Sequence, residues 1–555
     1  MNLRKISLIV LLWLNCLVLS ATHQRAGEIT YRHISGLTYE FKITTYTYTP
    51  SPADRPEIEV LWGDGTSSVV NRTRRVQVPE YDDVTLNEYI TEHTFPTTGS
   101  YSITFEDPNR NAGVVNIPNS VNIPFFLETI LNINPFLGQN NSPQLLNPPI
   151  DNGCTGVPYY HNPGAYDPDG DSLSYSLIEC RGYGGNSIPG YTFPAASNSL
   201  SIDPVTGEVT WDSPMMVGEY NIAILIREWR HGVLIGSVVR DMQINIVACN
   251  NLPPEIYTID DTCILAGDLL IFDVRAEDNT SSLVTLSATG TPFQVTSSPA
   301  VFPGNEGVPP VISRFEWATN CSHVQLNPYS VLFKANDHGP QVSLSKYKTV
   351  RITVIAPKPE NLSAIPVGNT IRLTWSPSIC SNATGYKIYR RNSSNPFEPE
   401  YCQTGMPPDK GYELIGTTTH WNDTSFTDDG SSIPLYHNNE YCYRVFAFFA
   451  DGAESYVSDE VCISLVNDAP RITYVDVMET DTNIGIIRVE WQRPEELDTV
   501  RFPGPGYEYR IWRASSQSMR YELINRTFSL EDTSFIDIGL NTAELTYFYK
   551  IELWG

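Results

Sequence analysis

The chain has 555 residues, too many for one hydrophobic core, so several domains of roughly 100 residues each are expected. Its 41 Pro, 36 Gly, 31 Tyr and 21 Phe are the vocabulary of strands and turns, and amphipathic Ala/Leu/Lys-rich runs are nearly absent. A net charge of −27 argues against nucleic acid as a partner, which needs clustered Lys and Arg, and suits a solvated surface and divalent cations.

Residues 1–20 read as a secretory signal. Arg4 and Lys5 form a basic start, Ile6 to Leu19 is an apolar run broken only by Ser7 and Asn15, and Val18 and Ser20 precede a cleavage point at Ala21. The alternative is a membrane anchor, but the run is short for a span of roughly 20 residues and no second apolar run follows. The expectation is a mature chain without a transmembrane span, secreted, extracellular or at the outer cell surface. Losing Arg4 and Lys5 leaves 34 basic and 63 acidic residues, a charge of −29.

Cysteine usage agrees with export. Cys16 leaves with the signal, and Cys154, Cys180, Cys249, Cys263, Cys321, Cys380, Cys402, Cys442 and Cys462 remain. None forms a Cys-x-x-Cys pair, so disulfides are favoured over metal knuckles. Candidate pairs are Cys442–Cys462, Cys380–Cys402 and Cys263–Cys321. Cys154 and Cys180 are further candidates, and one of Cys154, Cys180 and Cys249 is left over.

The first domain is expected over residues 21–138. Glu28–Tyr31 and Leu37–Thr49 read as strands, the second alternating Tyr39, Phe41 and Ile43 against Glu40, Lys42 and Thr44. Glu57–Gly65 is a strand ending in a Gly-Asp-Gly turn, with Asp64 read as a turn residue in preference to a ligand. Trp62-Gly63-Asp64-Gly65-Thr66, then His93-Thr94-Phe95 and Gly99-Ser100-Tyr101-Ser102-Ile103-Thr104, resembles a PKD (polycystic-kidney-disease-like) domain, which implies a β-sandwich. That family usually has Phe where Trp62 stands.

A wider resemblance starts at Thr22-His23-Gln24-Arg25-Ala26-Gly27-Glu28-Ile29-Thr30-Tyr31, which is similar to the mature N-terminus of large surface proteins of gliding Bacteroidota. These carry a gliding motility-associated C-terminal domain. The Cys154–Cys249 region, with Asp241-Met242-Gln243-Ile244, resembles their next module. The resemblance implies type IX secretion through a C-terminal sorting domain, and none is visible here.

The second domain, 139–249, opens at Asn140-Asn141-Ser142-Pro143. An acidic turn, Tyr166-Asp167-Pro168-Asp169-Gly170-Asp171, leads into a strand at Ser172–Ile178. Leu200–Trp211 reads as a hairpin with Gly207 at a positive-φ turn position, of the kind found in cadherin-like and Ig-like sandwiches. The third domain, 250–356, repeats the plan at a spacing near 109 residues. Its joint is Asn250-Asn251-Leu252-Pro253-Pro254, and Asp273–Asn279 stands for the acidic turn in degraded form.

After Ala356-Pro357-Lys358-Pro359 the pattern changes. Ile371–Trp375, Gly385–Arg390, Tyr412–Gly416, Ser425–Asp428 and Tyr441–Val445 resemble strands B, C, C′, E and F of a fibronectin type III domain, 357–466. Trp375 should fill the space between two sheets, with Tyr441, Tyr443 and Val445 facing it. The pattern recurs over 467–555 at Ile487–Trp491, Gly506–Arg513, Tyr521–Ile524, Ser534–Asp537 and Tyr547–Leu553, with no segment for strand G, so a longer protein is expected.

The fold class is therefore all-β, a linear array of Ig-like sandwiches. The one candidate ion site is Asp167, Asp169 and Asp171. A hard cation such as Ca2+ takes six to eight oxygens, and alternating carboxylates on a turn can supply several. In cadherin-like domains such a loop works with the inter-domain joint, here Asn140/Asn141 or Asn250/Asn251. The other reading is a solvated Asx-rich turn. The nine histidines are scattered, and no Gly-x-Ser-x-Gly elbow or phosphate loop is present, so no enzyme is expected. The expected role is an extracellular stalk or adhesin-like protein that meets an unidentified surface ligand, glycan or protein, or displays a distal domain. The alternative is an accessory or carbohydrate-binding region of a larger secreted hydrolase.

Overall fold

Alternation of apolar and polar residues, rather than any long helical period, sets the architecture in the computed structural model. It describes residues 24–78, 81–339, 341–367, 370–436, 439–465, 469–494 and 506–555. The expected signal at 1–20, the Thr22-His23 start of the N-terminal motif and Asn467-Asp468 lie outside these. The chain divides into two bodies, Met1–Val354 and Ile355–Gly555. Each is an all-β assembly of sandwich domains, and no helix among the described residues is long and apolar enough to cross a membrane.

In the first body, Gln24–Ser35, Thr38–Tyr48, Val84–Thr94, Ser67–Gln77, Glu57–Leu61, Gly99–Asp107 and Phe125–Ile133 are successive neighbours in one sheet. Phe125–Ile133 then pairs with Val233–Val247, which leads on to Gly218–Arg230 and Ser172–Ile178. Gln24–Ser35 also meets Val233–Val247, through Gly27 and Asp241. The sheet so curls round a core that includes Phe41, Trp62, Phe95, Ile103 and Leu127. Gly27 has no room for a side chain on its other side: a Cβ there would stand 2.6 Å from the Thr44 carbonyl oxygen of the neighbouring strand.

This sheet crosses the boundary expected at 138/139. The two resemblance motifs, around Glu28 and around Asp241, are the two sides of the seam. Glu28 pairs with Arg240 and Arg110 with Asp241, all four buried. The Gly-Asp-Gly turn has a comparable explanation. One Asp64 oxygen accepts from the Thr66 backbone, and the other lies 2.8 Å from His93, which stacks on Trp62 at 4.5 Å. Burial opposes ionisation of Asp64, but hydrogen bonds from Thr66 and His93 outweigh it and hold its pKa below the usual value.

The second domain faces its strands of the large sheet with a smaller sheet, Tyr159–His161, Val209–Pro214 and Ala196–Ile202. The predicted hairpin is present, Ile202 opposite Val209, with Gly207 at φ 75°. The third domain pairs Glu255–Tyr257, Leu269–Glu277 and Val311–Ala318 against Thr262–Leu265, Ser345–Ile355, Tyr329–Asp337, Val284–Gly290 and Asn305–Gly307. The repeat is physical. Trp211 lies edge-on to Tyr220 at 5.0 Å and Trp317 to Tyr329 at 4.9 Å. Each indole N–H donates to a backbone carbonyl, that of Ala195 or Ser298.

The second body holds two sandwiches built alike. In the first, Ser363–Val367, Thr370–Thr374 and Ser425–Asp428 face Glu413–Thr417, Gly385–Asn392, Glu440–Phe448 and Val461–Ser464. Trp375, Tyr441, Tyr443 and Val445 are buried, with Trp375 5.3 Å from Tyr386. In the second, Arg471–Glu479, Gly485–Gln492 and Ser534–Leu540 face Glu522–Thr527, Glu508–Ser515 and Tyr547–Trp554. A triad marks the repeat: Arg390 and Tyr443 both bond Asp428, as Arg513 and Tyr549 bond Asp537.

The cysteines correct one expectation. Cys154 is joined to Cys249, across the ends of the second domain, and Cys180 is a buried free thiol. The reason is register: Val247 runs parallel to Cys154 and brings Cys249 beside it. Cys442 is joined to Cys462, which it faces across two antiparallel strands. Cys263, Cys321, Cys380 and Cys402 are disulfide-bonded as well.

Candidate cation site

The acidic turn sits where the entry to the second domain passes the end of strand Gly218–Arg230. Asp167 starts it. One carboxylate oxygen accepts the backbone N–H groups of Asp169 (2.9 Å) and Asp171 (3.0 Å), an Asx turn that fixes the loop. Asp169 is held from the joint, by the Asn141 backbone N–H and side-chain amide, both at 2.7 Å. Asp171 accepts from Arg230, whose guanidinium also donates to the carbonyls of Leu137 and Gln139 and to the Asn140 side chain. Of the two candidate joints, Asn140/Asn141 is therefore the one that meets this loop.

Glu228 completes the group. It lies on Gly218–Arg230 and is 0% exposed. One of its oxygens accepts from the Asn140 amide at 3.0 Å. Oxygens of Asp167, Asp169, Asp171 and Glu228 all lie within 4.8 Å of one another. The second oxygens of Asp167 and Glu228, Oδ2 and Oε1, are buried and meet no N–H or hydroxyl donor, and the Glu228 carboxyl, kept protonated by burial, hydrogen-bonds Asp167. Burial pushes the Asp167 carboxyl well above the carboxylate range, and the charge of Asp171 adds to the effect. Burial likewise raises Glu228, and the charge of Asp167 adds to it.

Four ionised carboxylates within one coordination radius would repel, and a single guanidinium would answer only part of their charge; without an ion Glu228 avoids this by staying protonated. The ligand atoms are all oxygens, the set a hard cation prefers, and two of them meet no N–H or hydroxyl donor, so these residues fit Ca2+. The Asn140 side-chain oxygen bonds Arg230, so the joint asparagine fastens both the carboxylate and the cationic side of the site. Beyond the loop, Asn327 of the third domain donates to the Gly170 carbonyl at 2.8 Å. A hollow of about 130 Å3 lies there, lined by Asp167, Asp171, Gln325 and Arg351 among others.

Glu228 escaped the sequence reading because its place depends on strand register. Its signal was available: Tyr220, Ile222, Ile224 and Ile226 alternate inward, and Glu228 is the next inward position. A carboxylate at the end of a core-facing row needs a partner.

The third domain shows what replaces the site when the acids are lost. Asp337 follows Tyr329 at the interval by which Glu228 follows Tyr220, and it takes the amide of Asn251 at 2.7 Å. Asp278 accepts the backbone N–H groups of Thr280 and Ser281, as Asp167 does those of its own turn. The counterpart of Asp167 is thus Asp278. Asp278 lies within the expected stretch Asp273–Asn279, whose first residue, Asp273, is on strand Leu269–Glu277, exposed and paired with Arg314. Where Asp169 would stand, the Thr280 hydroxyl donates to Asn251, a neutral closure.

A second cluster, Glu440 with Cys442 and Cys462, offers no thiolates because the two sulfurs are bonded to each other. No family model and no curated protein matches the chain. Among solved structures, tandem Ig repeats of Dlar match 37% of this chain and 96% of their own at 14% identity, with a TM-score of 0.15. A chimeric titin Z1Z2-Z1Z2 tandem functionalized with a GRGDS exogenous peptide from fibronectin matches 39% of this chain and all of its own at 10% identity, with a TM-score of 0.16. At those scores nothing about function follows from the likeness.

Proposed function

We propose that this is a non-enzymatic, exported stalk or adhesin-like protein in which Ca2+ stiffens the joint around the second domain. The observation that carries the reading is a four-acid cluster fastened to Asn140 and Asn141, in which one buried oxygen each of Asp167 and Glu228 meets no N–H or hydroxyl donor and the two carboxyls have only each other. A bound cation would satisfy both oxygens and draw the joint, the turn and strand Gly218–Arg230 together. The asparagine joints, the fused first two domains and the disulfides suit a rigid spacer. Five tryptophans, Trp62, Trp211, Trp317, Trp375 and Trp491, are core residues, while Trp421 and Trp554 are exposed in different sandwiches.

Calorimetric titration of the full chain with Ca2+ after chelation tests the site. The full chain is required because the second domain shares its sheet with the first. One equivalent bound at up to millimolar Ca2+ is expected, with protection of the amides of Asn141, Asp169 and Asp171 from hydrogen exchange. No heat at millimolar Ca2+ would end the Ca2+ reading and leave a solvated turn.

A further inference from the structure

We infer that the cleft between the acidic turn and the third domain binds a neutral glycan. This gives the adhesin reading a ligand class and rests on that half of the reading, not on bound Ca2+. The cleft is a hollow of about 380 Å3 beside the smaller one at Gly170, within the range of about 300–1,000 Å3 usual for ligand sites. Residues 166–170 form one wall, and two turns of the third domain, residues 291–297 and 322–325, form the other. Both walls are set before any ligand arrives. Asp167 and Asn141 fix the first through the hydrogen bonds of the acidic turn. In the second, the buried His323 accepts the Asn320 backbone N–H at 3.1 Å on Nδ1, so its Nε2–H donates to the Ser297 carbonyl at 2.7 Å. One ring thus ties the two turns together, and Asn320 caps the second by accepting from the Ser322 backbone. A cleft so fixed leaves little to be ordered on binding.

The chemistry of the lining identifies the ligand class. Among the described residues no Lys or Arg lines the hollow, so a phosphate, sulfate or carboxylate finds no counter-charge, and Asp169 repels it. Pro168 and Val295 are the aliphatic side chains there, too little surface to hold a lipid. Hydroxyls and amides predominate instead, from Thr291, Gln294, Thr296 and Gln325. The Thr291 and Thr296 hydroxyls and the Gln294 amide make no hydrogen bond to the described residues, and Gln294 and Thr296 are exposed. Together they offer donors and acceptors side by side, which is what the hydroxyls of a sugar ring require. Asp169 holds Asn141 and keeps lone pairs for a further hydroxyl. The half-buried Tyr166 supplies an aromatic surface for the apolar face of a pyranose. A peptide fits less well, because peptides are captured along strand edges, in apolar grooves or by charge, and these walls are built mainly of turns.

Isothermal titration of the full chain in chelator tests the inference. The neutral probes are maltotriose, cellotriose, mannotriose and triacetylchitotriose, and the charged probe is trigalacturonate. At least one neutral trisaccharide should bind with millimolar affinity or tighter, and trigalacturonate should not bind. Gln294→Ala and Thr296→Val, both at exposed positions, should each weaken that binding about tenfold, as should Tyr166→Ala. Lys348→Ala, outside the hollow, should leave it unchanged. Circular dichroism checks that each variant folds. No heat from any neutral probe at millimolar concentration overturns the inference, whatever the separate Ca2+ titration gives. Binding that survives all three cleft variants places the sugar elsewhere and overturns it too, as does a preference for trigalacturonate. Heat from a neutral Ser/Thr/Gln peptide, with none from the sugars, would assign the cleft to a protein partner and likewise overturn it.

Discussion

Glu28 and Arg240 lie 212 positions apart and form a buried bidentate pair, with both guanidinium arms 3.0 Å from the carboxylate oxygens. The next residue, Asp241, takes Arg110 on the opposite face of the strand, so adjacent positions on Val233–Val247 each hold a buried ion pair. A buried pair contributes modestly to net stability, but removing one partner strands the other charge. Glu28→Gln should therefore cost about 3–5 kcal/mol in urea unfolding. Because the seam joins two domains, the loss should appear as one earlier cooperative transition of the first body. A separate early transition of one domain alone would show that the seam does not couple them.

Glu228 gives the sharpest test of the cation site. Burial keeps its carboxyl from ionising in the ion-free protein, so Glu228→Gln changes little in that state, since an amide fills the same space. A cation at a hundredfold excess over its Kd adds about 2.7 kcal/mol to the wild type. That increment, read as the shift of the unfolding midpoint between Ca2+ and chelator, should vanish in Glu228→Gln and in Asp167→Asn. Asp278→Asn, in the third domain, should leave it intact. Equal Ca2+ shifts in wild type and Glu228→Gln would remove Glu228 from the site.

His161 supplies the pH dependence. It is buried, with one ring nitrogen 3.1 Å from Asp151 and the other, Nε2, without a hydrogen-bond partner. Burial lowers its pKa; Asp151 opposes this, while Arg240 and Lys334 add to it. A histidine with a depressed folded pKa stays neutral when the unfolded chain takes up a proton near 6.5. Its contribution is complete above that pH and is lost as pH falls through the interval. Unfolding free energy should fall between pH 7 and 5, with this one group adding at most about 1.4 kcal/mol per pH unit. His161→Gln should flatten that part of the profile. An unchanged slope would show that His161 does not titrate on unfolding.

Local pattern was enough to place most strands. Ser172–Ile178 and Ser425–Asp428 begin and end where their alternation and flanking turns do. Three features were not legible because they depend on pairing at long range. The fusion of the first two domains rests on Gly27 meeting Asp241, and nothing local to either residue names the other. Glu228 joins the site through the register of Gly218–Arg230. Cys154 finds Cys249 because Ile150–Cys154 runs parallel to the last strand of the domain, whereas spacing alone left three cysteines equivalent. The degraded loop was legible only as a stretch, Asp273–Asn279, and the hydrogen bonds single out Asp278 within it.

The two Arg–Asp–Tyr triads of the second body predict unequal costs for the same substitution. Arg390 and Asp428 are both buried; Arg390 also donates to the Ile433 carbonyl, and Tyr443 donates to Asp428 at 2.9 Å. Arg513 and Asp537 have the same geometry, with Tyr549 at 2.8 Å, but the Arg513 side chain is 26% exposed. Water can therefore solvate Arg513 when its carboxylate is removed, whereas Arg390 is left charged in the core. Asp428→Asn should cost about 3–5 kcal/mol and Asp537→Asn about 1–2 kcal/mol. The difference should shrink if Arg390→Met is combined with Asp428→Asn, since no buried charge then remains unpaired. Denaturant unfolding of the three variants measures this, and equal costs for Asp428→Asn and Asp537→Asn would mean that burial of the arginine does not set the penalty.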